Sequence, residues 1–80
     1  MTAEFINTLF KEGQLDFFYV SVISSDTLLS VEACDNSERL LLGFKEVLPD
    51  TEVPGKEKWY ELIEDGLKIV RKEKKRLTKK

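Results

Sequence analysis

Eight of the fourteen residues from Leu67 to Lys80 are Lys or Arg, and one, Glu73, is acidic. Side chains of this type and density do electrostatic chemistry. Each phosphate they neutralise releases condensed counterions. Lys68, Arg71, Lys72, Lys74, Lys75, Arg76, Lys79 and Lys80 are therefore candidate contacts to a nucleic-acid backbone. Anionic lipid would attract the same charges, but lasting attachment needs an apolar face, and from Arg71 to Lys80 only Leu77 is apolar. The chain is expected not to insert into a membrane. An acidic protein surface is the third choice of partner. Residues 1–66 carry fourteen acids and five bases, a balance of −9 against +7 for the tail and −2 for the whole chain. The body of the chain is thus itself a surface the tail can meet, in competition with phosphate. With no partner at all, the run is a solvated helix end, fraying beyond Val70 where the apolar stripe stops.

Other catalytic chemistry is sparse. The sequence has no histidine, the commonest general base and metal ligand. Cys34 has no basic neighbour in sequence and reads as an inert thiol in a strand. Asp35-Asn36-Ser37-Glu38 offers oxygens without the spacing or central glycine of a calcium loop, so it reads as a polar turn. The glycines at 13, 43, 55 and 66 are isolated and build no phosphate-binding loop. Glu61, Glu64 and Asp65 cluster as solvated helix carboxylates. No catalytic, cofactor-binding or metal-binding residue is predicted, and no cofactor. A lone cysteine makes no internal disulfide and fits a reducing cytoplasm. Thr2, Ala3 and Glu4 follow Met1 with no charged n-region, so no signal peptide is expected. The apolar runs Phe17–Val20 and Leu40–Leu42 are too short to span a bilayer.

Five elements are expected to position these residues. Thr2 caps a short amphipathic helix over residues 3–12, with Phe5, Ile6, Leu9 and Phe10 on one stripe and Gly13 as its left-handed terminator. The aromatic and β-branched run Leu15–Ser25 reads as a strand. Ser24-Ser25-Asp26 is a turn, Thr27–Asp35 a second strand, and Arg39–Phe44 a third. A helix is possible over that third segment, but Gly43 and its shortness weigh against it. After the loop Pro49–Gly55, Pro54 or Gly55 opens a last helix. Its apolar face holds Trp59, Leu62, Ile63, Gly66, Leu67, Ile69 and Val70, with Glu64 four residues before Lys68 as a stabilising pair. Gly66 on that face implies close approach of a strand or of the first helix. Short connections between the strands imply an antiparallel meander. The predicted fold is α+β: a two-layer α-β-β-β-α domain with two helices on one face of a three-stranded sheet. Residues 1–70 would form the single domain and 71–80 its basic helix end.

Alternation splits the sheet into two faces. Phe18, Val20, Val22, Leu29, Val31, Ala33, Leu40, Leu42 and Phe44 form the core face. The opposite face carries Phe17, Tyr19, Ile23, Leu28 and Leu41, a candidate protein interface unless the 45–55 loop or the first helix covers it. Homodimerisation is its simplest use. Double-stranded RNA-binding domains share this element order, but their lysine run at the second helix is reduced here to Lys56 and Lys58, with Glu57 between and Glu61 after. Ser24-Ser25-Asp26 also lacks the proline and histidine of their first strand loop. The likeness is one of topology, which carries no function. The sequence points to a small cytoplasmic, non-catalytic module acting through a protein partner or self-association. The alternative is a nucleic-acid accessory protein using the tail.

Overall fold

The Thr2 hydroxyl accepts the Phe5 amide at 3.1 Å and opens helix α1, Ala3–Lys11. Gly13 follows with φ of +69°, the left-handed conformation glycine adopts without strain. The chain then enters a second helix rather than a strand. In the computed structural model, which describes residues 1–79, α1 is followed by α2 (Leu15–Ile23), α3 (Val31–Val47), a 3-10 turn (Leu48–Asp50) and α4 (Lys56–Thr78). There is no strand among the described residues. The expected α+β meander is therefore corrected to an all-helical fold.

Each misread strand has a physical reason. Leu15, Tyr19 and Val22 are buried at spacings of four and three, a helical repeat that tertiary burial enforces over the strand preference of aromatic and β-branched residues. The second expected strand divides between a loop and the first turn of α3, which Ser30 caps by accepting the Ala33 amide at 3.1 Å. The third lies inside α3. There Cys34, Ser37, Leu41, Phe44 and Leu48 are buried at alternating spacings of three and four, the last in the 3-10 turn. Of the core face expected from strand alternation, only Val22 and Phe44 are buried, while Val20, Leu29, Val31, Leu40 and Leu42 are exposed.

The Asp35-Asn36-Ser37-Glu38 segment is helical, and Asp35, Ser37 and Glu38 find partners across the fold instead of on their own backbone. Ser37 is buried, and its hydroxyl donates to the Val22 carbonyl at 2.8 Å. Thr27 donates to the Ser21 carbonyl at 2.7 Å. Together they satisfy two of the carbonyls that the last turn of α2 leaves without helical partners.

Helices α3 and α4 pack antiparallel and form the main interface. Three ion pairs line it: Lys45–Glu64 at 2.6 Å, Glu38–Arg71 at 2.8 Å and Asp35–Lys74 at 2.5 Å. Seven residues back along α3 match seven forward along α4, and the next three match three, so the register is constant over the ladder. Glu64 thus reaches across to Lys45; among the described residues it makes no ion pair with Lys68 on its own helix. Helix α4 does not fray after Val70. It runs to Thr78, with Leu77 partly buried against the core. Its twenty-three residues span about 34 Å of a molecule measuring 42 × 20 × 17 Å.

The two short helices close the hairpin's other side. Helix α2 packs on both α3 and α4, and α1 on α2 and the 3-10 turn. Neighbouring rings join all four helices: Phe5 with Phe18, Phe18 with Phe44, Phe44 with Trp59 and Trp59 with Tyr19, at centroid separations of 5.6 to 6.3 Å. The Asn7 side-chain oxygen accepts the Glu52 amide at 2.8 Å and ties the loop before α4 to α1, with Val53 buried beneath.

Candidate binding surfaces

A helix that is apolar all round belongs in an interior. In α2, "LDFFYVSVI", seven of nine residues are apolar, yet the helix covers one side only. Leu15, Tyr19 and Val22 face the core, whereas Phe17 is 71% exposed and Val20 58% exposed. Three residues apart, these two share one outward stripe. Beside it, a groove of about 410 Å³ separates α2 from α4, lined by Asp16, Tyr19, Val20, Lys58, Trp59 and Leu62.

The interface expected from strand alternation is not assembled. Phe17 is exposed and Ile23 half-buried, but Tyr19, Leu28 and Leu41 are buried. A strand puts Phe17 and Tyr19 on one face, while a helix turns them 200° apart and brings Phe17 beside Val20. Val20 was missed for that reason, whereas Trp59 and Leu62, read only as core positions of the last helix, are half-buried and reach the groove. The signal that would have found Val20 is the four-and-three spacing of Leu15, Tyr19 and Val22, which fixes the helical phase and leaves Val20 outside.

The basic residues divide into two sets. Arg71 and Lys74 are held by Glu38 and Asp35 of α3, and Arg76 pairs with Glu73 on its own helix at 2.8 Å. Lys68, Lys72, Lys75 and Lys79 make no ion pair among the described residues. Lys80 lies outside the described residues. At 100° per residue, the four unpaired lysines fall within an arc of about 60°, opposite the buried Ile63, Gly66, Leu67 and Val70. The contact of acidic body and basic tail is thus partly internal, through Asp35 and Glu38.

Four of the titratable groups are engaged or shielded. Burial pushes the Cys34 thiol above its ordinary pKa, and the Glu73 and Asp35 carboxylates add to this. Burial likewise raises the Tyr19 phenol, with Asp65 contributing, and its hydroxyl donates to the Leu62 carbonyl at 2.5 Å. Lys45 beside Glu64 holds that carboxyl below the usual range. Asp35 raises the Lys74 ammonium through their hydrogen bond. No group of three or more His, Cys, Asp or Glu side chains able to hold a metal occurs among the described residues, and none of their helices is long and apolar enough to cross a membrane. No protein-family model, curated protein or solved structure matches this chain.

Proposed function

We propose that this chain is a small non-catalytic binding module that acts through protein contacts, with the outward stripe of α2 as its docking face. One observation carries the reading. Phe17 and Val20 stand exposed on a helix whose composition calls for burial on all sides, beside the groove containing Trp59 and Leu62. Asp16 and Lys58 at that groove supply both signs of charge for a polar rim. A second copy is the simplest occupant, since an apolar stripe pairs with itself across a twofold axis. The absence of histidine and the shielded Cys34 favour binding over catalysis, and the free thiol is compatible with a reducing cytoplasm.

Sedimentation equilibrium over the micromolar to millimolar range tests this directly. The wild-type chain is expected to dimerise, and the Phe17→Glu/Val20→Glu variant to stay monomeric with unchanged helical circular dichroism. A wild-type chain that stays monomeric throughout overturns self-association through α2.

A further inference from the structure

We infer that the outer face of the last three turns of α4 is a docking surface for the phosphate backbone of duplex DNA, and that Lys68, Lys72, Lys75 and Lys79 make the contacts. This surface lies on α4 opposite its core face and is separate from the α2 stripe. The sorting of the cations is the first ground. Arg71, Lys74 and Arg76 are tied to carboxylates, while the remaining described lysines of the tail share one line at spacings of four, three and four. No acid interrupts that line between Lys68 and Lys79: Glu73 lies on another side of the helix and is engaged by Arg76, and Glu61, Glu64 and Asp65 lie beyond its N-terminal end, beside Lys68.

Rigidity is the second ground. Two ion pairs to α3 and the half-buried Leu77 dock the end of α4 against the fold as continuous helix, so the backbone positions of the four lysines are spread over about 16 Å before any ligand arrives. Pre-organised charge binds with less ordering cost than a disordered tail.

The composition of the stripe selects its occupant. Four point charges in a line match a regular polyanion. Single-stranded nucleic acid needs stacking rings beside its cations, and the stripe has none. A lipid surface needs an apolar wedge, but the exposed Phe17 and Val20 are on α2, and α4 offers beside the stripe only the single half-exposed Ile69. Duplex RNA is recognised by its shape and by contacts to its 2′-hydroxyls as well as to its phosphates, and the four-lysine stripe carries no neutral polar side chain for those hydroxyls. Lysine alone gives positioning contacts without base readout, so binding is sequence-independent.

Fluorescence anisotropy of the full chain with a labelled mixed-sequence duplex of about 20 base pairs tests the assignment. Four phosphate contacts give a log–log salt slope of about −3.6, or a loss of affinity near fifty-fold between ~50 and ~150 mM salt. Lys72→Gln/Lys75→Gln is expected to bring the slope to about −1.8. Lys11→Gln/Arg39→Gln removes the same charge from exposed positions outside the stripe and is expected to leave the slope unchanged. Circular dichroism of each variant reports an intact fold. No binding at low salt, equal loss in both variants, or tighter binding to single strands, RNA duplex or phosphatidylserine vesicles each overturns the inference.

Discussion

The Tyr19 hydroxyl reaches the Leu62 carbonyl through space that Gly66 leaves open. The bond is 2.5 Å long, and a Cβ on Gly66 would lie 3.2 Å from that same hydroxyl oxygen. The same Cβ would meet Ile23 at 3.2 Å and Leu41 at 3.3 Å. Glycine in the middle of α4 is thus explained by close approach of α2 and α3, in place of the strand or first helix expected from sequence.

Gly66→Ala is expected to destabilise the fold by about 1 kcal/mol. Overpacking costs roughly 1–3 kcal/mol, and alanine's better helix propensity returns about 1. Tyr19→Phe also costs about 1 kcal/mol through the lost hydrogen bond. The double variant should lose less than the sum, because one of the three close contacts is gone. Urea denaturation of the four chains measures this, and a stabilised Gly66→Ala would show that the neighbours yield freely.

The raised phenol of Tyr19 makes stability fall in alkali. Its folded pKa lies above the ordinary value of 10.0, so the folded state holds the proton more tightly than the unfolded one. The contribution is complete below about pH 10 and is lost as pH climbs towards the folded value. Tyr19→Phe should therefore show a shallower decline of the urea midpoint above that pH. Cys34 acts in the same direction, and its buried thiol should react with a disulfide reagent only after unfolding.

The ladder between α3 and α4 is solvent-exposed, so its pairs should contribute modestly. Asp35→Asn/Glu38→Gln is expected to lower stability by about 1 kcal/mol or less at low salt, with the difference vanishing near 1 M salt. Glu64 adds a small dependence on the acid side. Its carboxyl is held below the ordinary value of 4.5, so its contribution is present above that pH and fades as pH falls through the folded value. The wild-type midpoint should drop in acid more steeply than that of Glu64→Gln.

Ser37→Ala should cost about 1–3 kcal/mol, because it leaves the Val22 carbonyl buried without its partner. Ser25→Ala, at an exposed position, should be near neutral. Equal effects in the two variants would show that water replaces the serine hydroxyl.

Where local chemistry and tertiary packing agree, the sequence is a good guide to this fold. Thr2, Gly13 and the apolar stripe of α4 each point to the element that forms. The sequence misleads where the two disagree. Phe17, Phe18 and Tyr19 favour a strand locally, but Leu15, Tyr19 and Val22 bury as a helical face. Asp35, Asn36 and Ser37 look like a turn, while Asp35 and Ser37 are held by Lys74 and Val22, which lie far from them in sequence. The basic residues were legible as a group. Their division into paired and unpaired sets was not, since it depends on which face of α4 meets Asp35 and Glu38.

The polarity of the ladder also guards the hairpin's alignment. Two rungs place the acid on α3, and one, Lys45–Glu64, places it on α4. If α4 slid by four residues in one direction, Lys45 would face Lys68 and Asp35 would face Thr78, leaving Glu38 opposite Lys75 as the single matched rung of three. In the other direction, Glu38 and Asp35 would come opposite Leu67 and Val70, now buried in the core. One slip sets like charges together and the other presses carboxylates on hydrocarbon, so a hairpin closed out of frame has no comfortable place to rest.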